Sequence, residues 1–109
     1  MKDKELLMAS IKDYDLLSNG QRAVIITLLN FYNDEQKCSK ISVMSIAQIN
    51  HVSRTMVYQH LYKLQRLGLI NMTKPAGEKL CIFTFDLGKL DEIVNLYLKK
   101  QNLMNLNRT

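Results

Sequence analysis

Several familiar chemistries are ruled out by what this 109-residue chain does not contain. It has two cysteines, Cys38 and Cys81, and two histidines, His51 and His60. No Cys or His stands at ligand spacing from either cysteine, so the pattern is not a metal site. Two reduced thiols of an intracellular protein are expected instead. No apolar run approaches the ~20 residues that span a bilayer. The charged start, with Asp3 and Glu5, is not a signal peptide. A cytoplasmic protein with no membrane partner is expected. A Gly-rich phosphate loop is missing, as are a G-x-S-x-G motif and a His–carboxylate pair at a meaningful spacing. Asp13 and Asp15 are two residues apart, on different faces of a helix, and read as solvated. Neither an enzyme nor a bound cofactor is expected. The most informative gap is local: no carboxylate occurs between Ser53 and Ala76.

The length leaves room for one domain with one core, and 47% apolar content is normal for a globular chain. The charge of +5 is unevenly spread. Residues 1–36 carry four Lys or Arg against six acids. Residues 37–85 carry Lys37, Lys40, Arg54, Lys63, Arg66, Lys74 and Lys79 against Glu78 alone. Residues 86–109 carry four against three. Basic charge concentrated in the middle is the footprint of a surface that faces a polyanion.

That middle holds the stretch ISVMSIAQINHVSRTMVYQHLYKLQRLGLI, from Ile41 to Ile70. It reads as two helices and a tight turn. Ile46, Ala47 and Ile49 give the first helix a short apolar face, with Ala47 small enough for a close helix crossing. Asn50-His51-Val52 forms the turn, and Val52 is expected to plug the space between the helices. Ser53 is a good N-cap. Val57, Leu61, Leu64 and Gly68 then follow at helical spacing, and Gly68 closes the helix as a left-handed cap. The opposite face offers Thr55, Tyr58, Gln59, Tyr62, Lys63 and Arg66, with Arg54 at the tip. A solvated helix usually mixes charge signs. This one offers cations, hydroxyl and amide donors and aromatic rings, the groups that bind phosphates and read base edges. Tyr58 and Tyr62 have a second reading as side chains packed on a hairpin. His51 reads as a turn residue or a phosphate contact, and His60, beside the apolar face, as structural.

On either side the elements are simpler. Residues 1–17 carry Leu7, Ile11 and Tyr14 at helical spacing and read as an amphipathic helix. Ser18-Asn19-Gly20 breaks it. Residues 20–33 are so dense in apolar side chains that a core helix covered on both sides is expected. Asn33-Asp34-Glu35-Gln36 reads as a polar loop and 37–42 as a very short strand. Residues 42–68 are the two-helix unit. Residues 69–85 read as a hairpin: an alternating strand, a turn at Lys74-Pro75-Ala76-Gly77-Glu78, and a β-rich strand from Lys79 to Phe85. Residues 87–106 read as a last helix capped by Asp86, with Leu90, Ile93, Val94, Tyr97 and Leu98 along one side. Leu103, Met104 and Leu106 add apolar surface that so small a core cannot cover, so dimerisation through the terminal helices is expected.

In this order of elements, carried by SIAQINHVSRTMVYQHLYKLQRLGLI and INMTKPAGEKLCIFTF, the chain resembles the winged helix-turn-helix DNA-binding proteins over nearly its whole length. The fold class implied is mainly α with a small β-hairpin. The closing stretch FTFDLGKLDEIVNLYLKKQNLMN resembles the TubR family, centromere-binding adapters of tubulin-like plasmid and phage segregation systems. Small MarR-like repressors share the architecture. The resemblance implies a homodimer on double-stranded DNA, with recognition helices in the major groove and wings toward the minor groove. By position it implies Arg54, Thr55, Tyr58, Gln59 and Tyr62 as readers, and Ser53, Lys63, Arg66, Lys74 and Lys79 as phosphate contacts. An adapter would add a tubulin-like GTPase as partner. Two alternatives stay open: the DNA-binding part of a plasmid replication initiator, and a winged helix that serves protein interaction.

Overall fold

A computed structural model of the chain describes Met1 and residues 3–107. Along these residues run α1 (Lys4–Asp13), α2 (Asn19–Asn30), β1 (Tyr32–Asn33), β2 (Cys38–Ile41), α3 (Val43–Asn50), α4 (Arg54–Arg66), β3 (Ile70–Thr73), β4 (Cys81–Phe85) and α5 (Leu87–Asn107).

Local chemistry explains most of the boundaries. The Asp3 carboxylate accepts from the Leu6 N–H at 3.0 Å and starts α1. This helix is shorter than the expected 1–17. The backbone turns extended at Tyr14, and the Tyr14 carbonyl accepts from the Arg22 guanidinium at 3.2 and 2.7 Å. Ser18 and Gln21 form a reciprocal capping box that starts α2. Val24, Ile25, Leu28 and Leu29 on α2 are fully enclosed, as expected of a central helix. It stops at Asn30, short of Asn33, because Tyr32 and Asn33 pair instead with Ser39 and Cys38. The expected polar loop is thus a small hairpin closed by the Asn33 side chain, which accepts from the Glu35 and Gln36 N–H groups at 2.9 Å each.

The two-helix unit forms where its caps predict. Ser42 caps α3 by accepting from the Ser45 N–H at 3.0 Å, and Ser53 caps α4 by accepting from the Met56 N–H at 3.1 Å. The turn between them is made by His51 in the left-handed region at φ 55, a conformation that histidine tolerates better than most residues. Two expectations fail here. The buried stripe of α3 is Val43, Ile46 and Ala47, and Ile49 lies one position too far round, 49% exposed. Val52 does not plug the crossing but stays 37% exposed, because the left-handed His51 turns the chain outward before α4 begins. Val57, Leu61 and Leu64 fill the crossing from the α4 side. Gly68 at φ +77 follows α4, and the Leu69 N–H donates to the Leu64 carbonyl at 3.1 Å. Lys89 of α5 reaches back and donates to the Leu67 carbonyl at 3.1 Å.

The expected hairpin of β3 and β4 is present, but it is not alone. The sheet order is β1-β2-β4-β3, all antiparallel. Phe83, in the middle of β4, is flanked by Ser39 and Met72 and is wholly buried. The Ser39 hydroxyl donates to the Leu28 carbonyl at 2.6 Å and ties the sheet to α2. β4 begins at Cys81, later than the expected Lys79, so residues 74–80 form a longer loop. Finally, Asp86 caps α5 by accepting from the Lys89 N–H at 3.1 Å. This helix packs on α1 through Leu90 and Ile93. Val94 still packs against the core, but farther along Leu96, Leu98, Leu103, Met104 and Leu106 are exposed.

Candidate nucleic-acid interface

The buried stripe of α4 decides which side of that helix is outward. With Val57, Leu61 and Leu64 against the core, a rotation of roughly 100° per residue aims Thr55, Gln59, Tyr62 and Arg66 directly away from it. Met56 and Lys63 lie on one flank of that strip, and Arg54 and Tyr58 on the other. All of these are exposed except Tyr58, which is partly buried against the core. The Tyr58 and Tyr62 rings lie beside each other, with centroids 6.0 Å apart. Tyr62 is 53% exposed.

The hairpin supplies the second wall. Its loop turns with Gly77 at φ +79 and the Glu78 N–H donating to the Pro75 carbonyl at 3.1 Å. A positive φ at the third position of a turn calls for glycine, which has no Cβ to clash. The turn leaves Lys74 and Lys79 at the base of the loop. Together with Arg54 and Tyr58 they line a groove of about 400 Å³ between the hairpin and the N-terminal ends of α3 and α4. Of the ten residues singled out in the sequence, the fold therefore gathers Arg54, Tyr58, Lys74 and Lys79 in one depression. Thr55, Gln59, Tyr62, Lys63 and Arg66 stay on the outward strip, and Ser53 is at the cap of α4. Ser42, Val43, Met44, Leu80 and Cys81 complete the groove, and none of them was assigned to it from the sequence. Ser42 carried a signal, a hydroxyl one residue before an apolar helical stripe. Nothing local marks Met44 or Leu80.

The electrostatics are one-sided. Among the described residues, ion pairs join the Met1 amino group to Asp34 and Lys100 to Asp13 and Asp15. Arg54, Lys63, Arg66, Lys74 and Lys79 take part in none of them. Against them stands only Glu78, next to Lys79 in the wing loop, so the net field on this side is positive. His51 is exposed at the helix turn. His60 packs over the first turn of α2, where a Cβ on Gly20 would come within 2.5 Å of its ring. Cys38 and Cys81 are buried free thiols. Among the described residues no cluster of His, Cys, Asp or Glu gathers to hold a metal, and no helix is long and apolar enough to cross a membrane.

No family model and no curated protein matches the chain. Solved structures do. A protein of the thermoacidophilic archaeon Sulfolobus tokodaii is 24% identical, with a TM-score of 0.55 over 97% of this chain and 94% of that one. A MepR variant from S. aureus bound to an oligodeoxyribonucleotide is 16% identical, with a TM-score of 0.60 over 97% of this chain and 75% of that one. MepR is a transcription regulator of the S. aureus multidrug efflux pump MepA. A ZitR variant from Lactococcus lactis in complex with DNA is 18% identical, with a TM-score of 0.51 over 84% of this chain and 59% of that one. The fold is a winged helix. The β3–β4 hairpin is its wing and α4 stands in the place of the recognition helix.

Proposed function

We propose that this chain is a sequence-specific binder of double-stranded DNA that works as one winged-helix unit and pairs into a homodimer. α4 enters the major groove with Thr55, Gln59 and Tyr62 toward base edges. Arg54 and Tyr58 reach in from the groove beside the wing. Ser53, Lys63, Arg66, Lys74 and Lys79 hold phosphates. The observation that carries this reading is the acid-free outward face of α4 beside a groove in which Arg54 and Tyr58 meet the wing lysines Lys74 and Lys79. Winged helices of similar structure solved on DNA support it. The uncovered leucines of α5 support the dimer. Repression of transcription is the favoured role, since MepR is a transcription regulator. A segregation adapter of the TubR kind would use the same surface and would need a tubulin-like GTPase encoded beside it.

Footprinting on the DNA that flanks the gene tests the proposal. Protection of an inverted or tandem repeat is expected. Uniform protection at every concentration would overturn sequence specificity, and no protection at all would favour a protein-interaction module.

A further inference from the structure

The outward side of α4 is polar at every exposed position but one. Met56 is 40% exposed and lies on the flank of the outward strip. Single exposed apolar side chains are common and need no explanation by themselves. This one lies in the first turn of α4, and the first turn of a helix that enters the major groove is the part that meets base edges. Its backbone is held there, because the Ser53 hydroxyl accepts from the Met56 N–H at 3.1 Å. Gln59 is three residues on, so the two side chains are neighbours on the helix surface. In the major groove the apolar feature that tells one base from another is the C5-methyl of thymine. A thioether is flexible and polarisable, which suits contact with a methyl whose position varies with local twist.

We propose that Met56 is a specificity-determining residue that recognises thymine through its C5-methyl, beside the base pair met by Gln59. The proposal rests on the DNA-binding reading above and adds a base identity to it. The test uses the footprinted duplex, synthesised with deoxyuridine in place of thymidine at one position at a time, so that only a methyl is removed. At one thymine in each half-site, the wild-type protein should lose about fourfold in affinity, the worth of one buried methyl. Met56→Ala should bind the unmodified duplex more weakly and be indifferent to uridine at that position. Met56→Leu should keep the sensitivity. If the footprint stands but no thymine distinguishes wild type from Met56→Ala, the Met56 assignment is wrong and DNA binding survives. If no sequence-specific footprint exists, both readings fall together.

Discussion

The two ends of this molecule handle charge and apolar surface in opposite ways. Around α1 and α5, Lys100 donates to Asp13 at 3.2 Å and lies 3.7 Å from Asp15, and acids and bases are mixed. Beside them lies a run of apolar surface: Leu16, Leu87, Leu96, Leu98, Leu103 and Met104 are all exposed. Around α4 and the wing the balance differs. The core stripe of α4 is fully enclosed and its outward strip is cationic, amide and hydroxyl, while the exposed apolar side chains there, Met56 on α4 and Leu80 in the wing loop, stand singly. A surface of mixed charge with a run of bare leucines suits contact with another protein chain. One whose cations stand outside any ion pair and whose outward strip is polar suits a polyanion. The contrast supports the proposed division, with association at one end and DNA at the other.

Salt should break the contrast most strongly. If each subunit neutralises ~3–5 phosphates, a dimer's log–log slope of affinity against salt should be roughly −5 to −9. The dimer itself, held by apolar contact, should change little over the same range. A DNA slope near zero, measured by titration at several salt concentrations, would remove the polyanion reading. Next in size is Leu98→Glu. Leu98 is 42% exposed, so the fold should survive while the dimer dissociates. Losing the second half-site should weaken specific binding on the order of a hundredfold. Sedimentation of the wild type as a stable monomer at ~50 μM, far above a micromolar dissociation constant, would sink the dimer.

Smaller effects sharpen the division within the basic end. Gln59→Ala should cost about 1–3 kcal/mol on the cognate site and little on random DNA, because an amide bonds bidentately to adenine. Lys79→Ala should weaken both DNAs about equally, because a wing lysine senses phosphate. Equal losses on both DNAs for Gln59→Ala would move it off the base edges. The smallest effect belongs to the other end. The hydrogen bond and charge of Asp13, with the charge of Asp15, hold the Lys100 ammonium above its ordinary pKa of 10.5. A raised pKa in the folded state stabilises the protonated form. The contribution is therefore complete below about 10.5 and is lost only as pH rises through the raised value. Thermal melts of wild type and Lys100→Gln should keep a constant offset from pH 6 to 9, and they should converge only in strong alkali.

Much of this was legible in the residues. The caps Ser53 and Asp86 announced their helices because a short side-chain acceptor satisfies its own helix's first amides. Gly68 announced the end of α4 because few other residues take a positive φ. The unpaired cations were visible as a run without acids. The errors share one cause. Ile49 and Val52 are apolar and adjacent to a helix crossing, yet the burial of one depends on how α3 is rotated against its neighbours and of the other on the path of the turn at His51. The strand at Tyr32–Asn33 exists because Ser39 and Cys38 lie opposite, and nothing in 32–33 alone demands it.

Residue identity and spacing were sufficient for the order of the helices, the wing hairpin, the core stripes of α2 and α4 and the outward face of α4, since each depends on neighbours close in the chain. The groove that joins Arg54 and Tyr58 to Lys74 and Lys79 depends on how the wing loop closes and how β4 registers against both β2 and β3. The β2–β4 pairs, such as Ser39 with Phe83 and Ile41 with Cys81, join residues far apart in the chain, which no local pattern encodes.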